Sequence, residues 1–246
     1  MEQPLKAFIL AAGLGTRLKP LTNEVPKCLL PINGKPLLQI WLEHLSRQGI
    51  DEVLVNTHWH HQKVEAFLET WHSDFLRVIP YYEPRLLGSG GTILANKHWL
   101  EPGAPFFILY GDNLTNVDLK NMLAFHRQHG LPFTLGVFKS RTPEQCGIAE
   151  VGEDGVVTGF VEKPREPKSN LAAAGIYVAD RRIFRFFPVL EAGWERGSNI
   201  PLDLGLHIIP RLKGRMKAYP IHEFLMDIGT LGQYEKAQAT WLEVKS

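Results

Sequence analysis

Two glycines, two cationic side chains and two widely separated aspartates are the residues of this chain whose spacing could do chemistry. Gly13 and Gly15 follow the apolar run Phe8-Ile-Leu-Ala-Ala and lead through Thr16 into Arg17, with Lys27 soon after. Glycine at these positions lets the backbone come close to a ligand with its N–H groups turned inward. Arg17 and Lys27 add fixed positive charge beside those amides, which suits the triphosphate of a nucleotide. Asp112 stands between Gly111 and Asn113 at a predicted strand end, and Asp227 lies in Met226-Asp227-Ile228-Gly229. Two such carboxylates can meet at one Mg²⁺, which favours oxygen ligands and keeps waters and substrate phosphates in its shell. Taken alone, an aspartate after a strand is more often a turn former or a helix cap.

The glycine loop departs from two common phosphate loops. A dinucleotide-binding fingerprint needs a third glycine where Leu18 stands, and Lys19-Pro20 holds the following segment extended. No Gly-Lys-Ser/Thr ends the loop as in a P-loop. His58, His60 and His61 lack a cysteine or carboxylate partner at metal-site spacing and read as surface or capping residues. Cys28 reads as a small buried hydrophobe, and Cys146 has no evident activating base.

The segment LAAGLGTRLKPLT…VPKCLLPINGKP resembles the signature of the sugar-1-phosphate nucleotidyltransferases. LLGSGGTI at 87–94, YGDN at 110–113, VEKP at 161–164, AAGIYV at 173–178 and MDIGTLGQYEKA at 226–237 extend the resemblance over nearly the whole chain. The similarity implies an enzyme that joins a nucleoside monophosphate from a triphosphate to a sugar 1-phosphate and releases pyrophosphate. It implies Mg²⁺ on Asp112 and Asp227. It places the nucleotide against Leu10, Ala11, Ala12, Gly13, Gly15, Thr16 and Arg17, with Glu83, Gly88 and Ser89 bordering the base. Arg17, Lys27 and Lys163 become the charge-stabilising catalytic residues. Asn113, Glu162, Lys163, Asn170 and Gly175 fall on the sugar-phosphate side, and Asn199 is a further candidate there. Similar EEPLGTGG stretches occur in guanylyltransferases acting on mannose or heptose phosphates. Tyr82-Glu83-Pro84-Arg85-Leu86-Leu87 carries extra residues before Gly88, so the base stays open among GTP, UTP, dTTP and CTP. A cytidylyltransferase of alcohol phosphates or sugar acids shares the glycine–arginine loop, but usually lacks the VEKP and MDIG pairing. A non-catalytic sensor of a nucleotide or sugar phosphate is the alternative of another class.

The elements that must position these residues alternate in the first half. Short apolar strands are predicted at 7–10, 53–56, 76–81 and 106–110. Helices are predicted at 36–48, at 62–71, from about Thr92, and from a cap at Asp118 to Gly130. Pro36 suits a helix start and Gly49 its end. Fully apolar strands between amphipathic helices predict an α/β fold with a mainly parallel sheet covered on both faces. In such sheets ligands bind beyond the carboxyl ends of strands, and Gly13, Gly88 and Asp112 all follow strands. The second half reads as a hairpin, 147–151 and 156–162 about Glu153-Asp154-Gly155, then a strand at 172–178 and helices at 199–209 and 230–243. With the resemblance, this becomes a Rossmann-like mixed sheet carrying a small β-rich sugar-binding lobe. The whole of 1–246 reads as one domain, nucleotide-binding to about residue 130 and sugar-phosphate-binding from about 131.

Bulk properties agree. The 246 residues are 44% hydrophobic, enough for a substantial core. A net charge of +1 gives no general attraction to nucleic acid or membrane, and no apolar run approaches a membrane span. Two cysteines make no disulfide framework and fit a reducing cytoplasm. The expected partners are a nucleoside triphosphate and a sugar 1-phosphate, with the chain a monomer or homodimer.

Overall fold

A computed structural model describes residues 3–188 and 201–241. In chain order the strands and helices are β1 (Lys6–Leu10), β2 (Pro31–Ile32), β3 (Lys35–Pro36), α1 (Leu37–Gln48), β4 (Glu52–Thr57), α2 (His61–Thr70), β5 (Arg77–Tyr82) and α3 (Ser89–Ala95). They continue as β6 (Phe106–Tyr110), β7 (Asn113–Thr115), α4 (Leu119–His129), β8 (Phe133–Lys139), β9 (Gly147–Val151), β10 (Val157–Glu162) and β11 (Leu171–Ala179). The last are β12 (Met216–Pro220), β13 (Leu225–Asp227) and α5 (Leu231–Thr240). The sheet is mixed and mainly parallel, with flanking helices, as the alternating pattern predicts. Two compact units partition the chain. Glu2–Arg85, Leu109–Lys120 and Glu223–Ser246 make one; Leu86–Ile108 with Asn121–His222 make the other.

In the first unit β1 pairs in parallel with β4, and β4 with β5 (Leu10↔Asn56, Asn56↔Tyr81). Ala7, Phe8 and Ile9 have no exposed surface, which is why β1 reads as an unbroken apolar run rather than an alternating one. Helix α1 buries Leu37, Trp41 and Leu45 on the stripe that their spacing predicts. It ends at Gly49, whose φ of 77° is the left-handed conformation that glycine adopts without steric penalty. Trp41 Nε1 donates to the Asn113 carbonyl (2.7 Å), so α1 fixes the height of β7. The antiparallel pairing of β7 with β13 sets Asp227 opposite Asn113.

In the second unit β8 runs antiparallel to β11 and parallel to β12, and β9–β10 form the predicted hairpin (Phe160↔Ala149, Glu162↔Gly147). Gly155 at φ 77° closes its turn. Strands β8 and β12 have no counterpart in the sequence expectations. Gly136 breaks the β-branched and aromatic run that would mark β8 in sequence, and β12 is a five-residue strand paired in parallel with it, with Tyr219 also packed on Phe125. The register of β11 shifts between Ala173 and Tyr177, where Gly175 has φ 66°. Across from it a Cβ on Gly136 would lie 2.5 Å from the Ile176 carbonyl oxygen, so the bulge requires glycine there.

Helix α3 starts at Ser89, not near Thr92. Gly90 and Gly91 disfavour a helix on propensity alone, but their N–H groups donate to the Leu202 carbonyl (2.8 and 3.1 Å) and the packing overrides propensity. The predicted helix at 199–209 is instead a π turn over Leu204–Ile208 followed by a 3-10 turn over Ile209–Leu212. Residues 199–200, Asn199 included, and the 242–243 end of the predicted last helix lie outside the described residues.

A buried histidine network joins α4 to β8. Leu131 N–H donates to His129 Nδ1 (3.0 Å), which puts the His129 proton on Nε2. That group donates to Thr134 Oγ1 (2.7 Å), whose hydroxyl donates to His126 Nδ1 (2.8 Å). The bond from Leu131 to Nδ1 needs the His129 ring neutral, and burial disfavours a charge on His126. Burial first, then the charge of His129, pushes His126 down to about 4; Arg182 and Arg127 add to this and Asp180 opposes it. His129 is also lowered, by burial, Lys217 and Arg182. A base whose folded pKa is depressed adds stability above its unfolded pKa, and that stability drains away as pH falls toward the folded value. For His126 the window is pH 6.5 to about 4, and the loss on crossing it is about 3 kcal/mol. Urea unfolding should show it between pH 7.5 and 4.5, and His126→Gln should flatten the profile.

Candidate active site

The loop after β1 is built by one glycine and opened by another. Gly15 sits at φ 63°, and a Cβ there would stand 2.8 Å from Thr22 Cγ2. Thr22 is fully buried and donates its hydroxyl to the Gly15 carbonyl (2.7 Å), so the loop closes on a fixed core residue. A Cβ on Gly13 would meet nothing within 4 Å. No neighbour demands glycine at 13, and its clearance faces open space where a ligand can lie. Leu18, fully buried, pins the 3-10 turn Thr16–Leu18, while Thr16 and Arg17 are exposed.

Asn56 at the end of β4 orients the same loop. Its Oδ1 accepts from the Ala11 N–H (2.6 Å), and its Nδ2 donates to Glu83 Oε1 (2.9 Å). Glu83, 1% exposed, therefore acts inside the protein, through Asn56, on the loop's backbone. Its carbonyl also bonds His58 Nδ1 (2.7 Å). Trp59 Nε1 donates to the Thr22 carbonyl (3.0 Å), His60 Nε2 bonds the Asn23 carbonyl (2.8 Å), and Lys63 donates to the Glu24 carbonyl. The histidine run thus buttresses residues 22–24, with His60 in the left-handed conformation before α2 and His61 beside Glu65. Among the described residues no group of three or more His, Cys, Asp or Glu gathers as a metal cluster. Cys28 is buried, which pushes its thiol up to about 12 and removes it as a nucleophile.

Asp112 and Asp227 come together although 115 positions separate them (227 less 112). Gly111 makes this possible: its N–H donates to the Leu10 carbonyl (3.0 Å), and a Cβ would lie 2.9 Å from Ile9 Cγ2. The chain after β6 therefore hugs β1. The Ile228 N–H donates to the Asp112 carbonyl (3.0 Å), bringing the second aspartate alongside. Lys27 Nζ lies 2.6 Å from Asp112 Oδ2 and 3.6 Å from Asp227 Oδ1. Arg17 closes the group: a Cβ on Gly229 would be 2.9 Å from an Arg17 Nη atom and 2.8 Å from Asp227 Oδ1. Loss of surrounding water first, and the Asp112 charge second, push the Asp227 carboxyl up, against the lowering pull of Lys27 and Arg17. The two acids keep 34% and 45% of their side-chain surface, so a ligand can reach them. Asn113 is buried beside them, with its carbonyl taken by Trp41.

The second unit holds the remaining candidates. Gly88, at φ 79°, and Gly90 pack against the 202 backbone; a Cβ on Gly88 would stand 2.5 Å from the Leu202 carbonyl oxygen. That contact requires glycine at 88 and close packing at 90. Ser89 Oγ donates to Asp203 Oδ2 (3.0 Å) and accepts from Leu204 N–H (2.8 Å). Glu162 ends β10, and Lys163 follows it in the left-handed conformation, its N–H bonded to the Cys146 carbonyl (3.0 Å). Asn170 is exposed and its carbonyl accepts from Ser140 N–H, while Gly175 occupies the β11 bulge. Sequence reasoning missed Asn56, Gly229 and Asp203. A polar residue closing an apolar strand, and the glycine of the MDIG segment itself, were the signals for the first two; Asp203 gave none.

The chain is similar to known proteins over most of its length. A family model described as Nucleotidyl transferase matches residues 6–243. The mannose-1-phosphate guanylyltransferase catalytic subunit beta of Drosophila pseudoobscura pseudoobscura is 32% identical over 229 residues, 91% of this chain and 59% of its own length. Mannose-1-phosphate guanylyltransferase 1 of Arabidopsis thaliana is 35% identical over 236 residues (94% and 63%). A glucose-1-phosphate adenylyltransferase of Clostridium acetobutylicum is 31% identical over 262 residues (98% and 68%). The chain thus spans about three fifths of the length of these guanylyltransferases. A solved structure of a putative glucose-1-phosphate thymidylyltransferase from Bacillus anthracis shares the fold with a TM-score of 0.83 at 24% identity, covering 96% of this chain and 94% of that one. No helix among the described residues is long and apolar enough to cross a membrane. With a family model matched over almost its full length and relatives named as sugar-1-phosphate nucleotidyltransferases, the chain belongs to the nucleotidyl transferase family.

Proposed function

We propose that this protein transfers a nucleoside monophosphate from a triphosphate to a sugar 1-phosphate, with GTP and a mannose- or heptose-type 1-phosphate as the favoured pair. The observation that carries the reading is the meeting of Arg17 and Lys27 with Asp112 and Asp227 beside the open face of Gly13. Relatives named as mannose-1-phosphate guanylyltransferases support the choice of base and sugar, although an adenylyltransferase matches at a similar identity. The first 130 residues would serve the nucleotide and 131–246 the sugar phosphate, within one catalytic domain.

The obstacle to this reaction is charge. The nucleophile, a phosphate oxygen of the sugar 1-phosphate, is already anionic at neutral pH and needs no general base. It must approach the α-phosphorus of another anion, form a P–O bond there, and expel pyrophosphate as the α–β P–O bond breaks. Catalysis then rests on positioning and on fixed positive charge. The amides of Gly13 to Thr16 and the Arg17 guanidinium hold the leaving pyrophosphate, Lys27 neutralises charge at the reacting phosphates, and Lys163 orients the sugar phosphate. The paired carboxylates of Asp112 and Asp227 offer the all-oxygen donors that Mg²⁺ prefers, and the cationic groups drawn to them mark a place that calls for positive charge. When bound, the ion would supply Lewis-acid neutralisation of the phosphate oxygens.

The test is a grid of five triphosphates against several sugar 1-phosphates with Mg²⁺, read as pyrophosphate release. The expected result is release above background for GTP with a mannose- or heptose-type phosphate. Release from no pair would leave the protein a nucleotide or sugar-phosphate sensor.

A further inference from the structure

A second set of charged side chains gathers around Gly205. Glu162 Oε2 would lie 2.5 Å from a Cβ on Gly147 and 2.7 Å from one on Gly205. Two glycines from separate segments therefore clear the space that this one carboxylate occupies. Asp203 Oδ1 is 3.2 Å from the same Gly205 position, so the two acids flank a single point. Asp203 is held firmly. Its Oδ2 accepts from Ser89 Oγ, its Oδ1 accepts from Leu206 N–H (2.9 Å), and its own N–H donates to His207 Nδ1 (2.9 Å). Glu162 is ion-paired with Lys163, whose Nζ is 4.0 Å from Glu162 Oε1 and whose side chain is 65% exposed. Burial pushes the Glu162 carboxyl up, Asp203 adds to the rise, and Lys163 opposes it.

We propose that Asp203 is a specificity-determining residue: with Glu162 it forms an acidic pair that admits a sugar 1-phosphate whose sugar is uncharged and disfavours one whose sugar carries a carboxylate. The inference rests on the reading of Glu162 and Lys163 as the sugar-phosphate side. Ionised carboxylates only accept hydrogen bonds, and sugar hydroxyls donate them, so an acidic pair suits a polyol. A third carboxylate brought against the pair meets like charge from two sides where the surrounding protein screens it less than water does. One acid alone is offset by Lys163. Asp203 leaves the group with a net negative charge.

The natural bland role for Asp203 is to cap the turn at 204–208, and asparagine or serine caps as well as aspartate does. Asp203→Asn and Asp203→Ser therefore remove the charge and keep the cap. The measurement is equilibrium binding of mannose 1-phosphate and of mannuronic acid 1-phosphate, which differ only at C6, with GTP–Mg²⁺ binding as the internal control. The wild type is expected to bind the uronate roughly tenfold more weakly than the hexose. Both variants should narrow that ratio by a factor of about three or more, whereas any effect on GTP through the Ser89 contact acts on both sugar phosphates alike and leaves the ratio untouched. Rising salt should narrow it in the wild type, since the effect is electrostatic. A ratio that is the same in wild type and variants, or indifferent to salt, overturns the proposal. Failure of the wild type to bind either sugar phosphate overturns the sugar-phosphate reading beneath it. A uniform weakening of all three ligands reduces Asp203 to a structural cap.

Discussion

Asp112→Asn should reduce turnover by at least about a hundredfold, or about 3 kcal/mol of transition-state stabilisation, while the fold stays intact. The neutral amide keeps the shape of the side chain but removes one of the two formal negative charges on which Lys27 converges. The residual carboxylate of Asp227 would then compete alone for the cation, with Lys27 Nζ close by. Stability should change little. The substitution weakens the Lys27 contact at 2.6 Å but also relieves repulsion between two acids, and Asp112 is a third exposed. Pyrophosphate release under saturating substrates, with a thermal melt of the same preparation, is the check. A variant that turns over like wild type would remove the assignment of Asp112. A variant that is inactive and unfolded would make Asp112 a structural residue. Titration of Mn²⁺ followed by its EPR signal adds a readout independent of turnover, in which the variant should bind the ion more weakly.

The two loop glycines should fail in opposite ways when each becomes alanine. In Gly15→Ala the new methyl stands 2.8 Å from the fully buried Thr22, in a left-handed backbone that side chains disfavour. Overpacking and conformational strain together should cost about 2 kcal/mol, a fall in Tm of roughly 4–8 °C for a chain of this size. Because Thr16 and Arg17 follow directly, the displaced turn should also lower activity. In Gly13→Ala the methyl meets nothing within 4 Å. The melt should match wild type or rise slightly, since alanine restricts the unfolded chain. KM for the triphosphate should rise about tenfold as the methyl intrudes where the nucleotide lies, a loss near 1.4 kcal/mol. Equal melting temperatures and an unchanged KM in Gly13→Ala would mean that the open face of the loop does not meet the nucleotide.

Much of this protein was open to reading from its residues, and the division follows the range of the interactions involved. Strand β6 (Phe106–Tyr110), helix α1 and the β9–β10 hairpin announce themselves through local signals: an unbroken apolar run, a stripe at helical spacing ended by Gly49, and a turn closed by Gly155. The phosphate-binding character of the glycine loop was legible from types and spacing, whereas the metal role of the two aspartates was implied only by the family resemblance, since an aspartate after a strand is by itself more often a turn former or cap.

What tertiary structure alone decided is which partner each residue meets. Glycine spacing could not distinguish Gly15, which yields room to Thr22, from Gly13, which yields it to open space, nor reveal that Gly88 and Gly90 make way for Leu202. Glu83 carries a charge that suggests a ligand contact, yet Asn56 draws it inward. Strand β8 is held by pairing with β11 and β12, and helix α3 begins early because Leu202 accepts the Gly90 and Gly91 amides. Local sequence fixes torsional preference and hydrophobic period. Contacts between segments far apart in sequence, such as Asp112 with Lys27 (85 positions) or Asp203 with Ser89 (114 positions), arise only when the chain has closed on itself.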